Sequence, residues 1–201
     1  MSFNGGNNWQ AFQANLPICP ITDLIIQDND LVAATSGRAF WILDDLSALQ
    51  QSMGKLPKGV QLFEPSETVK YSLFARPKPP SDAGQNPLNG VTFDYHLPDY
   101  WQDTFDLTLY IETLDGKRIR TISNQKPEKM KKWEGGPPPP QVLPNKPGLN
   151  RFHWDLRKNQ LPAIENVFVM GDYRGHFVAP GEYKMTLVSV ADKQSLSLIH
   201  I

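Results

Sequence analysis

Three short runs of apolar and β-branched residues alternate with polar positions near the start of the chain, at residues 23–27, 31–35 and 39–43. Asp28-Asn29-Asp30 and Ser36-Gly37-Arg38 interrupt them, and both interruptions are short and turn-forming. The pattern predicts three successive antiparallel strands. Next, Ser47-Ala48-Leu49-Gln50-Gln51-Ser52-Met53 predicts one or two helical turns, ended by Gly54, Pro57 and Gly59. From about residue 67 alternation resumes, at 69–73, 90–97, 105–112 and 118–122, and again at 150–156 and 181–188. Asp115-Gly116 is the strongest short hairpin signal available, so the strands on either side of it should pair antiparallel. The chain as a whole reads as all-β, with little helix.

Two long stretches fall outside the alternation. Residues 124–147 carry Lys126, Lys129, Lys131, Lys132 and Trp133, then Gly135-Gly136 and Pro137-Pro138-Pro139-Pro140. Proline has no amide hydrogen to give a central strand and favours the extended polyproline conformation, so an exposed loop is expected. Two readings stand for it. It is a docking segment for an aromatic-lined groove, assisted by the lysines and Trp133, or an insertion in a loop that tolerates length. Residues 159–177 form the second irregular stretch, and Gly171-Asp172-Tyr173-Arg174-Gly175-His176 is expected to fold across a sheet edge.

Ser2, Asn4, Gly6 and Trp9 follow the order Ser-x-Asn-x-Gly-x-x-Trp, and Gln10-Ala11-Phe12-Gln13 then alternates like a strand. The order resembles the Asp-box of bacterial neuraminidase-type repeats, with Asn4 in place of the usual Asp. The resemblance implies a structural hairpin turn whose small polar side chains bond its backbone while Trp9 packs beneath. Residues 16–46, with Thr22-Asp23-Leu24, Leu31-Val32-Ala33-Ala34-Thr35 and Gly37-Arg38-Ala39-Phe40-Trp41-Ile42-Leu43-Asp44-Asp45, look like the final blade of a bacterial family. That family is the large exported propellers described as sortilin-like or glycosyl-hydrolase-like repeat proteins. It implies that residues 1–46 are the truncated last blade of a β-propeller, 47–66 a connector, and the missing upstream blades of the parent chain their partners. A lone blade cannot cover its own faces, so Ile25, Val32, Phe40 or Ile42 should be exposed.

In the second half, Leu114-Asp115-Gly116-Lys117-Arg118-Ile119-Arg120-Thr121, Gly148-Leu149-Asn150-Arg151-Phe152-His153-Trp154-Asp155-Leu156-Arg157 and Ala179-Pro180-Gly181-Glu182-Tyr183 resemble the sandwich of the flagellar hook-capping protein. Roughly seven short strands separated by turns point the same way, to an immunoglobulin-like (fibronectin-like) antiparallel β-sandwich over 67–194. Trp154 and Tyr183 are the expected core anchors. Residues 195–201, Ser-Leu-Ser-Leu-Ile-His-Ile, resemble translated sequencing-adapter tails and read as a non-native tail.

Composition adds limits. A formal net charge of −1 announces neither nucleic acid nor an anionic membrane as partner, and no apolar run is long enough to span a bilayer. Cys19 has no second cysteine to bond. The first residues lack the features of a signal peptide, whereas the resembled family is exported to the periplasm, cell surface or medium. His96, His153 and His176 are scattered, so no zinc site is signalled, and His153, beside Trp154 on the opposite face, reads as a surface imidazole. Gly-x-Ser-x-Gly does not occur, which leaves serine hydrolase chemistry without support. Asp44 and Asp45 point to opposite faces of a strand and cannot flank one sugar. With Arg38 they remain candidates for a loop surface of the complete propeller. No catalytic residue, metal ligand or cofactor is therefore assigned. The expected role is a non-catalytic structural or binding region supporting protein or glycan interaction at the cell envelope. The alternative is an accessory part of a propeller hydrolase, glycosidase-like or peptidase-like, whose active site lies in the missing blades.

Overall fold

The computed structural model describes residues 1–53, 55, 57–70, 88–126, 133–171, 173–189 and the backbone of 194–199. Gly54, residues 71–73 of the run at 69–73, Lys129, Lys131, Lys132, Asp172 and the last two residues of the tail lie outside these. The described residues are essentially all-β, in small antiparallel sheets of which none closes on itself. The chain divides into two compact units, Met1–Pro57 and Lys58–Ile201, and the division falls within the segment read as a connector.

In the first unit β1 (Ile21–Gln27), β2 (Asp30–Thr35) and β3 (Phe40–Leu43) form one sheet in the order β1-β2-β3. Gln27 pairs with Asp30, leaving Asp28 and Asn29 as a two-residue loop with φ of 48° and 71°. Two successive left-handed residues make a type I′ turn, whose twist matches that of the flanking strands. The register puts Leu24, Ala33 and Trp41 on one face and Ile25, Val32 and Ile42 on the other. Both faces are thus apolar. A short helix, α1 (Ser47–Ser52), follows and ends on left-handed Met53, whose N–H reaches the Gln50 carbonyl. Residues 10–13, which alternate like a strand, form no ladder; Gln10 exchanges backbone bonds with Met1, and Gln13 bonds Leu16 within a turn. Alternation supplies a strand's side-chain pattern, but a strand also needs a partner for its backbone.

The second unit holds β4 (Gln61–Leu62), β5 (Val91–Leu97), β6 (Leu107–Thr113), β7 (Arg118–Ser123), β8 (Gly148–Trp154), β9 (Tyr183–Ser189) and β10 (Gln194–Ile199). They form two sheets, β10-β9-β6-β7 and β4-β5-β8. One apolar cluster draws on both, with Phe93 and Trp154 from the smaller sheet and Leu109, Ile111 and Leu187 from the larger. Alternation places these residues on the inner faces. β6 and β7 pair antiparallel around Asp115-Gly116, through a three-residue loop. The Thr113 N–H bonds the Lys117 carbonyl at 3.0 Å, and Gly116 takes the left-handed conformation, with φ of 85°. This is the bulged form of the hairpin, in which glycine supplies the positive φ. Residues 195–199 of the tail pair with β9 as an outer strand.

Asn159 and Leu143, from the two irregular stretches, lie along the outer edge of β7. The amide of Asn159 bonds the Ile119 carbonyl, its side-chain oxygen accepts from the Thr121 N–H, and the Leu143 amide bonds the Ser123 carbonyl. Three outward backbone groups of an edge strand are thereby satisfied.

Candidate functional site

The amino-terminal turn is built by two short polar side chains. Ser2 Oγ accepts the Gly6 N–H at 2.8 Å and donates to Asn4 Oδ1 at 3.1 Å, and Asn4 Oδ1 also accepts the Asn8 N–H at 2.9 Å. Gly5 and Gly6 take φ of 67° and 88°, which a residue without a Cβ adopts freely. Trp9 lies against Gly6 yet is 74% exposed. Its ring presents an open apolar face. Ser2, Asn4 and Gly6 therefore form a braced corner, and Trp9 is the member of the group with free surface.

Asp45 sits at a second corner. Its Oδ1 accepts from Asn29 Nδ2 and from the Ser47 N–H, each at 2.9 Å, while its own amide bonds Asp30 Oδ1 at 2.8 Å. Asn29 also donates to Ser47 Oγ and accepts from Gln50 Nε2. The β1–β2 turn is thus tied to the start of α1. Charge-assisted bonds of this kind fix a loop, and they engage the Asp45 carboxylate within the corner. Asp44 and Arg38 are exposed, and the Arg38 carbonyl accepts the Trp41 indole N–H at 2.9 Å.

Trp154 and Tyr183 meet edge to face at 5.9 Å inside the second unit. Trp154 donates to the Arg157 carbonyl and Tyr183 to the Ala179 carbonyl. Burial raises the Tyr183 hydroxyl pKa, and raises that of fully buried Tyr95, which donates to the Pro144 carbonyl, further still. Asp94 and Arg151 form a bidentate pair, both bonds 2.9 Å long. These groups hold backbone and strands in place.

His153 is half-buried rather than a free surface imidazole. Its ring lies against Gly90, where a Cβ would stand 2.8 Å from Nε2 and 2.2 Å from the Trp154 carbonyl oxygen. Nδ1 is 3.2 Å from Thr92 Oγ1. Burial lowers the His153 pKa below its ordinary 6.5, against the raising effects of the Asn89 backbone and Asp155. The unfolded chain therefore takes up this proton before the folded chain does. The stability His153 contributes is complete above about pH 6.5 and falls as pH drops from there through the lower folded value. Melting temperatures recorded between neutral and mildly acid pH should decline, and His153→Gln should flatten that part of the profile. An unchanged profile in the variant would exclude this source.

The two irregular stretches of the second unit meet around a cleft of about 480 Å³, lined by Gly135, Gly136, Pro138, Gly171, Tyr173 and Arg174. Trp133 donates its indole N–H to the Val167 carbonyl at 2.8 Å, and Phe168 covers Gly135 so closely that a Cβ there would lie 2.5 Å from the ring. Ile164, Phe168 and Met170 are exposed. Phe168, Met170 and Tyr173 lie in a stretch without regular alternation, so periodicity does not mark them, and nothing in the sequence links them to the proline run some thirty residues earlier. The chemistry offered is aromatic, apolar and cationic, suited to recognition. Among the described residues, no group of three or more His, Cys, Asp or Glu is placed to hold a metal ion, and no helix is long and apolar enough to cross a membrane. No protein-family model, no curated protein and no solved structure matches the chain.

Proposed function

We propose that the chain is a non-catalytic region of a larger exported β-propeller protein, one blade joined to an immunoglobulin-like β-sandwich, that supports protein or glycan interaction at the cell envelope. The observation that carries this reading is the β1–β3 sheet. Leu24 and Ile26 are exposed on one face, and Ile25, Phe40 and Ile42 on the other, with Phe40 at 74% and Ile42 at 61%. Full burial of each such side chain is worth about 1.5–3 kcal/mol. A sheet apolar on both faces belongs in the interior of a layered or repeated architecture. The side-chain-braced turn at Ser2 and Asn4 and the shared core of the two sheets in Lys58–Ile201 support the same reading.

The test compares this chain with one extended by the coding sequence upstream of it. This chain alone should bind the dye ANS strongly, and Ile25→Ser with Ile42→Ser should reduce that binding. The extended chain should bind little dye, and its added sequence should contain further Ser-x-Asp-x-Gly-x-x-Trp repeats. An upstream frame without such repeats, or equal dye binding by both chains, would sink the proposal.

A further inference from the structure

We infer that Pro137–Pro140 is a preformed docking ridge for a second protein that carries an aromatic-lined groove. The inference rests on how the run is held and is independent of the architectural reading above. Each proline ring fixes φ near −65°, and each residue before a proline is kept out of the helical region. The run is therefore extended without any ladder of its own. Pro138, Pro139 and Pro140 are exposed.

Both ends are fastened to the folded unit. Upstream, Trp133 is bonded to Val167, Gly136 donates to the Trp133 carbonyl at 3.1 Å, and the Trp133 and Phe168 rings cover the two glycines. Downstream, Gln141 accepts from Arg120 at 3.0 Å, and Leu143, only 2% exposed, belongs to the core cluster. Trp133 thus clamps the ridge to the fold instead of facing a partner. An insertion that merely tolerated length would not require these fastenings.

A segment held extended at both ends loses little conformational freedom on docking, which is the usual cost of binding a loop. Pro138 already accepts one bond, from Gln160 Nε2 at 3.0 Å. Proline rings pack between aromatic side chains, and proline carbonyls accept from the indole and phenol donors of such grooves. Arg174 lines the cleft beside Pro138.

The probes are immobilised SH3, WW and EVH1 domains, tested against the whole chain. At least one class should retain the chain, a free oligoproline peptide should displace it, and Pro138→Ala with Pro139→Ala should weaken retention about tenfold or more. The variant's melting temperature should match that of the original. Retention by no class, equal retention of the variant, or failure of oligoproline to displace the chain would each overturn the inference. Should the variant melt early, displacement of the original chain decides the matter alone.

Discussion

Trp154→Ala is expected to lower the unfolding free energy of the Lys58–Ile201 unit by about 3–5 kcal/mol, the range for deleting a fully buried large aromatic. Trp154 has no exposed surface and stands where β8 meets the core, edge to face with Tyr183. Its indole also satisfies the Arg157 carbonyl at 2.9 Å. Truncation therefore opens a cavity and removes the shorter of the two bonds that the Arg157 carbonyl accepts, the other coming from Arg120. Trp154→Phe separates the two effects. It keeps much of the ring volume but not the N–H, and should cost about 1–3 kcal/mol. Urea unfolding followed by far-ultraviolet circular dichroism measures both variants. Equal losses would mean that the hydrogen bond outweighs the packing.

Arg120→Met should follow, at about 2–4 kcal/mol. The Arg120 guanidinium is buried beside the β7 edge and donates to the Arg157 carbonyl at 3.2 Å, the Lys158 carbonyl at 2.5 Å and Gln141 Oε1 at 3.0 Å, with Asp155 at 3.9 Å. Burial depresses its pKa and Asp155 opposes that shift. Methionine preserves the aliphatic volume while removing every donor. Lysine should rescue little, because one ammonium cannot reproduce a planar fork spread over three acceptors. Hydrogen exchange at the amides of Leu143 and Asn159 should accelerate in the Met variant, since both segments are fastened beside Arg120. A Met variant as stable as the original would show that desolvating the charge cancels its bonds.

The alternation of side chains located most of the strands, because a period of two is what a half-buried strand imposes on its sequence. The β1–β2–β3 meander and the antiparallel β6–β7 pair stand where turn residues and alternation place them. What escaped depends on side-chain bonds between distant positions. Asn29 reads as a turn former, yet it also joins Asp45, Ser47 and Gln50, sixteen or more residues away. Arg120 reads from its charge as a solvent position, yet it pairs with core Ile111 two residues from core Ile122, and residues 155–158 and Gln141 supply its partners. Leu143 lies in a proline-rich stretch without periodicity, and its burial follows from the path of the chain over the core. For the cleft, the proline run was visible from composition, whereas the aromatic clamp holding it follows from the meeting of two irregular segments.

The covered edge of β7 closes that margin of the β10-β9-β6-β7 sheet to growth. Cross-β polymers form when an open strand offers its amides and carbonyls as a template to the next molecule. The Thr121 amide and the Ile119 and Ser123 carbonyls are already taken by Asn159 and Leu143, so polymerisation through β7 first requires those two segments to detach. Conditions that loosen the Arg120 fastening should therefore convert a sealed margin into a seeding surface.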